Sequence, residues 1–203
     1  MGQTKIVLSP EEQELVINGS WILTKNAVIE KVYALFGGLS KQFSVMMEKD
    51  TVLTTDAGTR SPKISKGEQY EGLPWVMLDQ PRNFIGDDAF AIRSFFWWGN
   101  YCSITLQLAG KYQQQYAPAV QRYLQAHPGE WFIGTGTDPW KHHFRKDNYM
   151  PIREWEGNMS AIPFLKIAQR ICLHEWNKLD AFFEIRYAEI MAMLQGKDQA
   201  PSL

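Results

Sequence analysis

Residues 89–109 read AFAIRSFFWWGNYCSITLQLA, and this stretch decides the fold that the sequence predicts. Aromatic and β-branched residues dominate both halves of it, and such residues favour β-strands. Gly99-Asn100 separates the halves, and glycine supplies the positive φ that a tight hairpin turn requires. We therefore predict two antiparallel strands, Ala89 to Trp98 and Tyr101 to Ala109, joined by a two-residue turn.

The predicted turn also fixes which side chains share a face of the hairpin. A two-residue turn places Trp98 opposite Tyr101, and alternation then assigns every other residue. One face becomes apolar except for Arg93. The other face mixes aromatic rings with hydroxyl and amide groups, a combination typical of small-molecule pockets, and its members include Trp98, Tyr101 and Thr105. The alternative for this second face is ordinary core packing beneath a helix.

The charge of Arg93 requires a partner, because an unpaired charge among apolar side chains costs free energy. The nearest candidates lie in and just after the preceding predicted strand, Leu73 to Gln80. Asp79 could meet Arg93 and form a structural ion pair. Alternatively, Arg93 could act together with Arg82 to bind the carboxylate or phosphate of a ligand. The sequence leaves both interpretations open.

Helical patterns flank the predicted sheet. Residues 9–12, SPEE, are typical of a helix start, because Ser9 and Glu12 can form a capping box and proline suits the first helical position. An apolar stripe then recurs every seven residues at Leu15, Ile22, Ile29 and Phe36. Apolar residues from Leu165 to Leu194 also keep a helical period, so a long last helix is predicted to start at Ser160.

These elements predict an α+β fold in one domain, residues 1–203. The antiparallel sheet, with the aromatic hairpin at its centre, is expected to pack against long N- and C-terminal helices. Residues 50–72 lose all periodicity and predict a long loop, which is either a binding loop or a surface excursion.

The composition limits which binding partners and which cellular compartment we expect for this protein. Twenty-one Lys and Arg face 22 Asp and Glu, so no net field attracts nucleic acid or an anionic membrane. We expect no nucleic-acid partner and no membrane partner, since no stretch is apolar for long enough to span a bilayer. Cys102 and Cys172 lie within apolar patterns, which favours reduced thiols and a cytoplasmic location.

A second candidate site combines Asp138, His142 and His143 in one irregular segment with His174 from elsewhere. Such side chains could bind zinc or iron, although no cofactor is otherwise predicted. The spacing is not diagnostic. His174-Glu175 resembles the start of a zinc-protease helix, but Lys178 stands where the second histidine should be. A half-buried structural histidine is the alternative for His174.

Three functions remain open from the sequence. The leading hypothesis is a domain that binds a small molecule, which could be anionic, in an aromatic-lined pocket. The candidate residues for this pocket are Arg93, Asp79, Arg82, Trp98, Tyr101 and Thr105. The second is a metal-assisted hydrolase that uses the His/Asp segment. The third is a structural or interaction protein that self-associates as a homodimer.

Overall fold

The computed structural model describes residues 6–48 and 60–197. Its strands are β1 (Lys63–Tyr70), β2 (Leu73–Ile85), β3 (Asp88–Trp97), β4 (Tyr101–Ala109), β5 (Phe132–Gly134), β6 (Tyr149–Pro151) and β7 (Leu165–Cys172). They form one seven-stranded sheet in the order β1-β2-β3-β4-β7-β5-β6. Every recorded strand pairing is antiparallel.

The helices are α1 (Pro10–Ile17), α2 (Gly19–Glu48), α3 (Gly110–Ala126) and α4 (Leu179–Leu194), with two 3-10 helices at Ile152–Glu154 and Leu173–Lys178. The capping box forms as predicted: Glu12 N–H donates to Ser9 Oγ at 3.2 Å, and Ser9 N–H donates to Glu12 Oε2 at 2.7 Å. The predicted α+β class is confirmed, since α2 and α4 pack on a sheet whose centre is the aromatic hairpin. Within the described residues, none of the helices combines the length and apolarity that crossing a membrane requires.

The hairpin is confirmed, but its predicted register is wrong. The turn contains three residues, Trp98 to Asn100, so Tyr101 pairs with Trp97 and not with Trp98. Gly99 takes the positive φ of +70° that the turn needs. Glycine suits three-residue turns as well as two-residue turns, so its presence does not fix the length of the turn. Because side chains alternate, this difference of one residue moves all of β4 to the opposite face relative to β3.

The prediction of a last helix from Ser160 is also wrong over its first half. Residues 165–172 form β7, which pairs with β4 on one side and β5 on the other, and α4 begins only at Leu179. Leu165 and Ile167 point into the apolar core, in the two-residue alternation of a strand. Of the predicted 50–72 loop, residues 50–59 lie outside the described residues and Lys63–Tyr70 form β1.

The two faces of the sheet differ in what covers them. One face packs against α2, α3 and α4 and forms the main apolar core, in which the rings of Phe43 and Tyr187 stack with centroids 3.7 Å apart. We call the other the loop face. It carries a smaller aromatic cluster of Phe95, Trp97 and Tyr101, and residues 135–148, here called the covering segment, contact it.

Candidate ligand-binding site

Polar side chains meet at the centre of the loop face. The strand register places Asp79, Arg93 and Thr105 side by side across β2, β3 and β4. In the neighbouring row, Gln107 of β4 pairs with Lys166 of β7. All five residues are buried. The corrected register therefore joins two features that the sequence assigned to opposite faces, the isolated arginine and the polar side chains of β4.

Arg93 forms the ion pair that the sequence offered as one interpretation. Its Nε donates to Asp79 Oδ1 at 2.8 Å, and each residue is only 7% exposed. Arg82 takes no part in this pair. The register between β2 and β3 is irregular after Asp79, so Arg82 lies opposite Ala91 and its Nε donates to the carbonyl of Ser61 at 2.9 Å.

The guanidinium of Arg93 keeps hydrogen-bonding capacity beyond this pair. Its Nη1 donates to Gln107 Oε1 at 3.3 Å, which is long for such a bond. The guanidinium carbon also lies 5.2 Å from the ring centre of Trp140, within range of a cation–π contact. A guanidinium has five N–H donors, and among the described residues only Asp79 and Gln107 accept from it. Arg93 can therefore still donate to a bound anion.

These free donors are relevant because Arg93 lines a cavity. The cavity measures about 400 Å³, within the range of small-molecule sites. Much of its wall is aromatic or otherwise apolar, formed by Tyr70, Trp75, Met77, Phe95 and Trp140, with His142 beside them. A compound with a flat apolar part and a negative group therefore fits its chemistry.

Tyrosine hydroxyls hold the covering segment in place over the loop face. The hydroxyl of Tyr70 accepts from the backbone N–H groups of His142 and His143, at 2.7 and 3.1 Å. The hydroxyl of Tyr101 donates to the carbonyl of His142 at 3.1 Å. Burial raises the pKa of Tyr101, so it remains a neutral donor. Tyr101 thus positions the wall of the cavity.

Burial also shifts the basic groups near Arg93. It lowers the pKa of Lys166 to about 7, and the positive charge of Arg93 contributes to that shift. The ammonium group donates to the carbonyl of Lys141 and lies 4.9 Å from the ring centre of Tyr149. Burial, followed by the charges of Arg93 and Lys166, holds the pKa of His142 well below its usual value. His142 is therefore a neutral wall residue.

Trp98, another predicted pocket residue, lies on the opposite side of the sheet. Its ring packs with the main core and lies 6.3 Å from the ring of Phe96. Thr105 is buried next to Arg93, as its place in the register requires. Of the six predicted pocket residues, Arg93, Asp79, Tyr101 and Thr105 therefore share the loop face.

The candidate metal residues do not converge. Among the described residues, no three or more His, Cys, Asp or Glu side chains are placed to hold a metal ion. The ring of His142 faces Phe95, with centroids 4.8 Å apart, and His143 Nδ1 lies 3.9 Å from Asp147. Asp138 Oδ1 accepts from the backbone N–H of Trp140 at 2.8 Å. His174 is exposed in the 3-10 helix after β7.

A larger cavity, of about 560 Å³, lies between α3 and the residues around 152–159. The charged side chains that line it, Arg153 and Glu156, are both exposed. Water already solvates such groups, so they gain little from an additional charged partner. The cavity beside Arg93 is the stronger candidate because one of its two charged lining residues, Arg93, is buried, whereas the other, Glu68, is exposed and pairs with Lys25.

Sequence reasoning missed several residues of this site. The sequence pattern predicts a helix at Lys166, whereas the two-residue alternation of Leu165 and Ile167 is the signal that indicates a strand there. Trp140 belongs to the irregular covering segment, where no pattern indicates which strand a residue will contact. Comparison of the chain with protein-family models, curated proteins and solved structures finds no match.

Proposed function

We propose that this protein binds a small organic anion in the cavity on the loop face and that Arg93 anchors its negative group. The observation that carries the proposal is a buried guanidinium with free donors beside a cavity that Tyr70, Trp75, Phe95 and Trp140 help to line. Arginine suits this role because its planar fork matches a carboxylate or a phosphate.

The contacts of Arg93 indicate which edge of the guanidinium would take the anion. Asp79 occupies Nε, and the only described contact on the outer edge is the 3.3 Å bond from Nη1 to Gln107. An anion could therefore accept from Nη2 and compete with Gln107 for Nη1. Among the described residues, Asp79 is the one buried carboxylate beside Arg93, and Lys166, whose pKa burial lowers to about 7, adds positive charge to the loop face only below that pH.

The rest of the ligand would contact rings. Trp140 faces the guanidinium and is 53% exposed, so its ring covers Arg93 from the solvent side. Trp75 and Phe95 form other parts of the wall. Flat rings bury large apolar areas and stack with one another, which favours an aromatic or other planar acid.

Paired ligands test the proposal. Thermal unfolding would be followed with a panel of aromatic carboxylates and phosphates, each beside its neutral amide or ester, and every hit would be measured by calorimetry. Trp140→Ala should keep the fold, because the ring is half exposed, and should weaken binding of the acid by roughly tenfold. Arg170→Ala is the matched control. Arg170 also lies over aromatic rings of the loop face, yet it does not line this cavity, so binding should be unchanged.

A further variant separates binding from folding. Asp79→Asn combined with Arg93→Gln removes both charges and leaves neither one buried alone. This double variant should fold and should lose its preference for the acid over the amide. If no acid stabilises the wild type more than its neutral partner does, or if Arg170→Ala weakens binding as much as Trp140→Ala, the role of Arg93 is confined to the ion pair.

A further inference from the structure

The N-terminal helices present an exposed apolar surface. Every residue from 6 to 24 is exposed, and α1 contains no buried residue. Nine large apolar side chains in this segment are between 44% and 91% exposed: Ile6, Val7, Leu8, Leu15, Val16, Ile17, Trp21, Ile22 and Leu23. Scattered apolar side chains are normal on a surface, but nine of them within one short segment indicate an interaction site.

Helix α1 has little to stabilise it within one copy of the chain. It has eight residues and ends at Asn18, just before α2 begins. Isolated helices shorter than about 12 residues are marginal in water, even when they are well capped. Most helical stability in proteins comes from packing an apolar face, and among the described residues α1 packs none. A partner that covers residues 6–24 would supply that packing.

The apolar stripe of α2 continues into this segment. Ile29, Phe36 and Phe43, spaced by seven residues, are buried in the main core. The preceding member of the series is Ile22, and it is 44% exposed. The stripe that packs on the sheet and on α4 therefore extends past the edge of the folded body. A seven-residue apolar repeat is the pattern by which helices pair with one another.

We propose that residues 6–24 pack against the same residues of a second copy of this chain. At on the order of 100 Å² for each buried side chain, the nine apolar residues offer at most about 900 Å², an area reached only if the partner contacts more than one side of each helix. A standard interface buries about 800 Å² on each partner, whereas the largest apolar patch of a typical monomer is about 300–600 Å². A two-fold pair uses one patch twice, so this single surface suffices.

The charges of the segment argue against a lipid surface as the partner. Helices that lie on membranes carry Lys and Arg, which are attracted to anionic lipids. Here α1 carries Glu11, Glu12 and Glu14 and no basic residue. The one lysine in the first turns of α2, Lys25, is paired with Glu68. An acidic segment would be repelled by anionic lipid headgroups.

Sedimentation of the full chain over a range of concentrations tests this proposal. The wild type should form a dimer, and Ile22→Glu should weaken association by about a hundredfold, because it buries a charge at the interface. Ile85→Glu is the matched control, since Ile85 is 57% exposed but lies at the end of β2. It should dimerise like the wild type.

Hydrogen exchange gives a second readout that does not depend on sedimentation. Amide protection in α1 should rise with wild-type concentration and should stay low in Ile22→Glu, while β3 stays protected in both. A wild type that remains monomeric and shows concentration-independent exchange in α1 overturns the proposal. So does a dimer that Ile22→Glu leaves intact, or a monomer that binds vesicles of anionic lipid through this segment.

Discussion

Replacing Lys166 with methionine should change how the stability of this protein depends on pH. Lys166 has no exposed surface, and burial together with the charge of Arg93 lowers its pKa from 10.5 to about 7. Methionine has a similar length and no charge. The substitution therefore removes the titrating group and also its hydrogen bond to the carbonyl of Lys141.

The sign of the effect follows from proton binding in the two states. Between pH 7 and pH 10.5 the unfolded chain holds a proton on Lys166 that the folded chain has released, so stability rises with pH. The increase in folding stability that comes from Lys166 is fully present above pH 10.5 and is lost as the pH falls towards 7. Linkage gives about 1.4 kcal/mol for each pH unit inside this window, and about 2 kcal/mol between pH 7 and pH 9.

Urea unfolding at pH 7, 8 and 9 measures this contribution. The free energy of unfolding of the wild type, relative to Lys166→Met, should rise by about 2 kcal/mol across the range. Taking the difference cancels the effects of other groups with shifted pKa values, such as Cys102, whose pKa burial raises. The lost hydrogen bond contributes a constant offset. Lys141→Met, which removes an exposed ammonium group from the covering segment, is the control and should follow the wild type.

Parallel profiles for the wild type and Lys166→Met would refute this reasoning. They would mean that Lys166 keeps an ordinary pKa in the folded state, which requires water or a further anion at its ammonium group. The burial of Lys166 beneath the covering segment would then be wrong. The charge balance beside Arg93 would also change, because a Lys166 with an ordinary pKa would add a full positive charge to the loop face at neutral pH.

Two further predictions concern the ion pair and the glycine turns that support the site, and both can be measured by urea unfolding. Asp79→Asn alone should cost about 3–5 kcal/mol, because it leaves Arg93 buried without a countercharge, and adding Arg93→Gln should recover part of that loss; a double variant no more stable than the single one would contradict this. Gly110→Ala should cost more than Gly99→Ala, since both positions have positive φ but only at Gly110 would the new Cβ fall 2.1 Å from Asp88 Oδ1. We expect about 1 kcal/mol at Gly99 and about 2–3 kcal/mol at Gly110; equal losses would mean that Asp88 moves aside freely.

The sequence predicted the hairpin because both strands and the glycine turn are local features. Strand propensity and a turn residue with positive φ depend on neighbouring residues alone. The register depends on whether Trp98 belongs to the strand or to the turn, and propensity does not distinguish these. Long-range packing decides it, by placing Phe96 and Ile104 towards the helices and Arg93 towards Asp79.

The error at the last helix has a different physical cause. Leu165, Ala168 and Cys172 are spaced as they would be on one face of a helix, so their pattern suits either structure. The position of β7 between β4 and β5 decides the outcome, because a strand there supplies backbone partners to both neighbours. Lys166 therefore lies in the buried site on β7 and not on a helix as predicted. The contact of Trp140 with Arg93 also joins residues that are distant in sequence, so no local pattern predicts it.

The two interpretations of Arg93, structural ion pair and ligand anchor, are compatible in this structure. Asp79 accepts from Nε alone, and so restrains the guanidinium while the donors of Nη2 stay free of described partners. A fixed fork loses less entropy when it binds an anion than a mobile one does. An ion pair that holds Arg93 rigid therefore strengthens the case for binding: the residue that makes Arg93 structural also orients the edge that would meet a ligand.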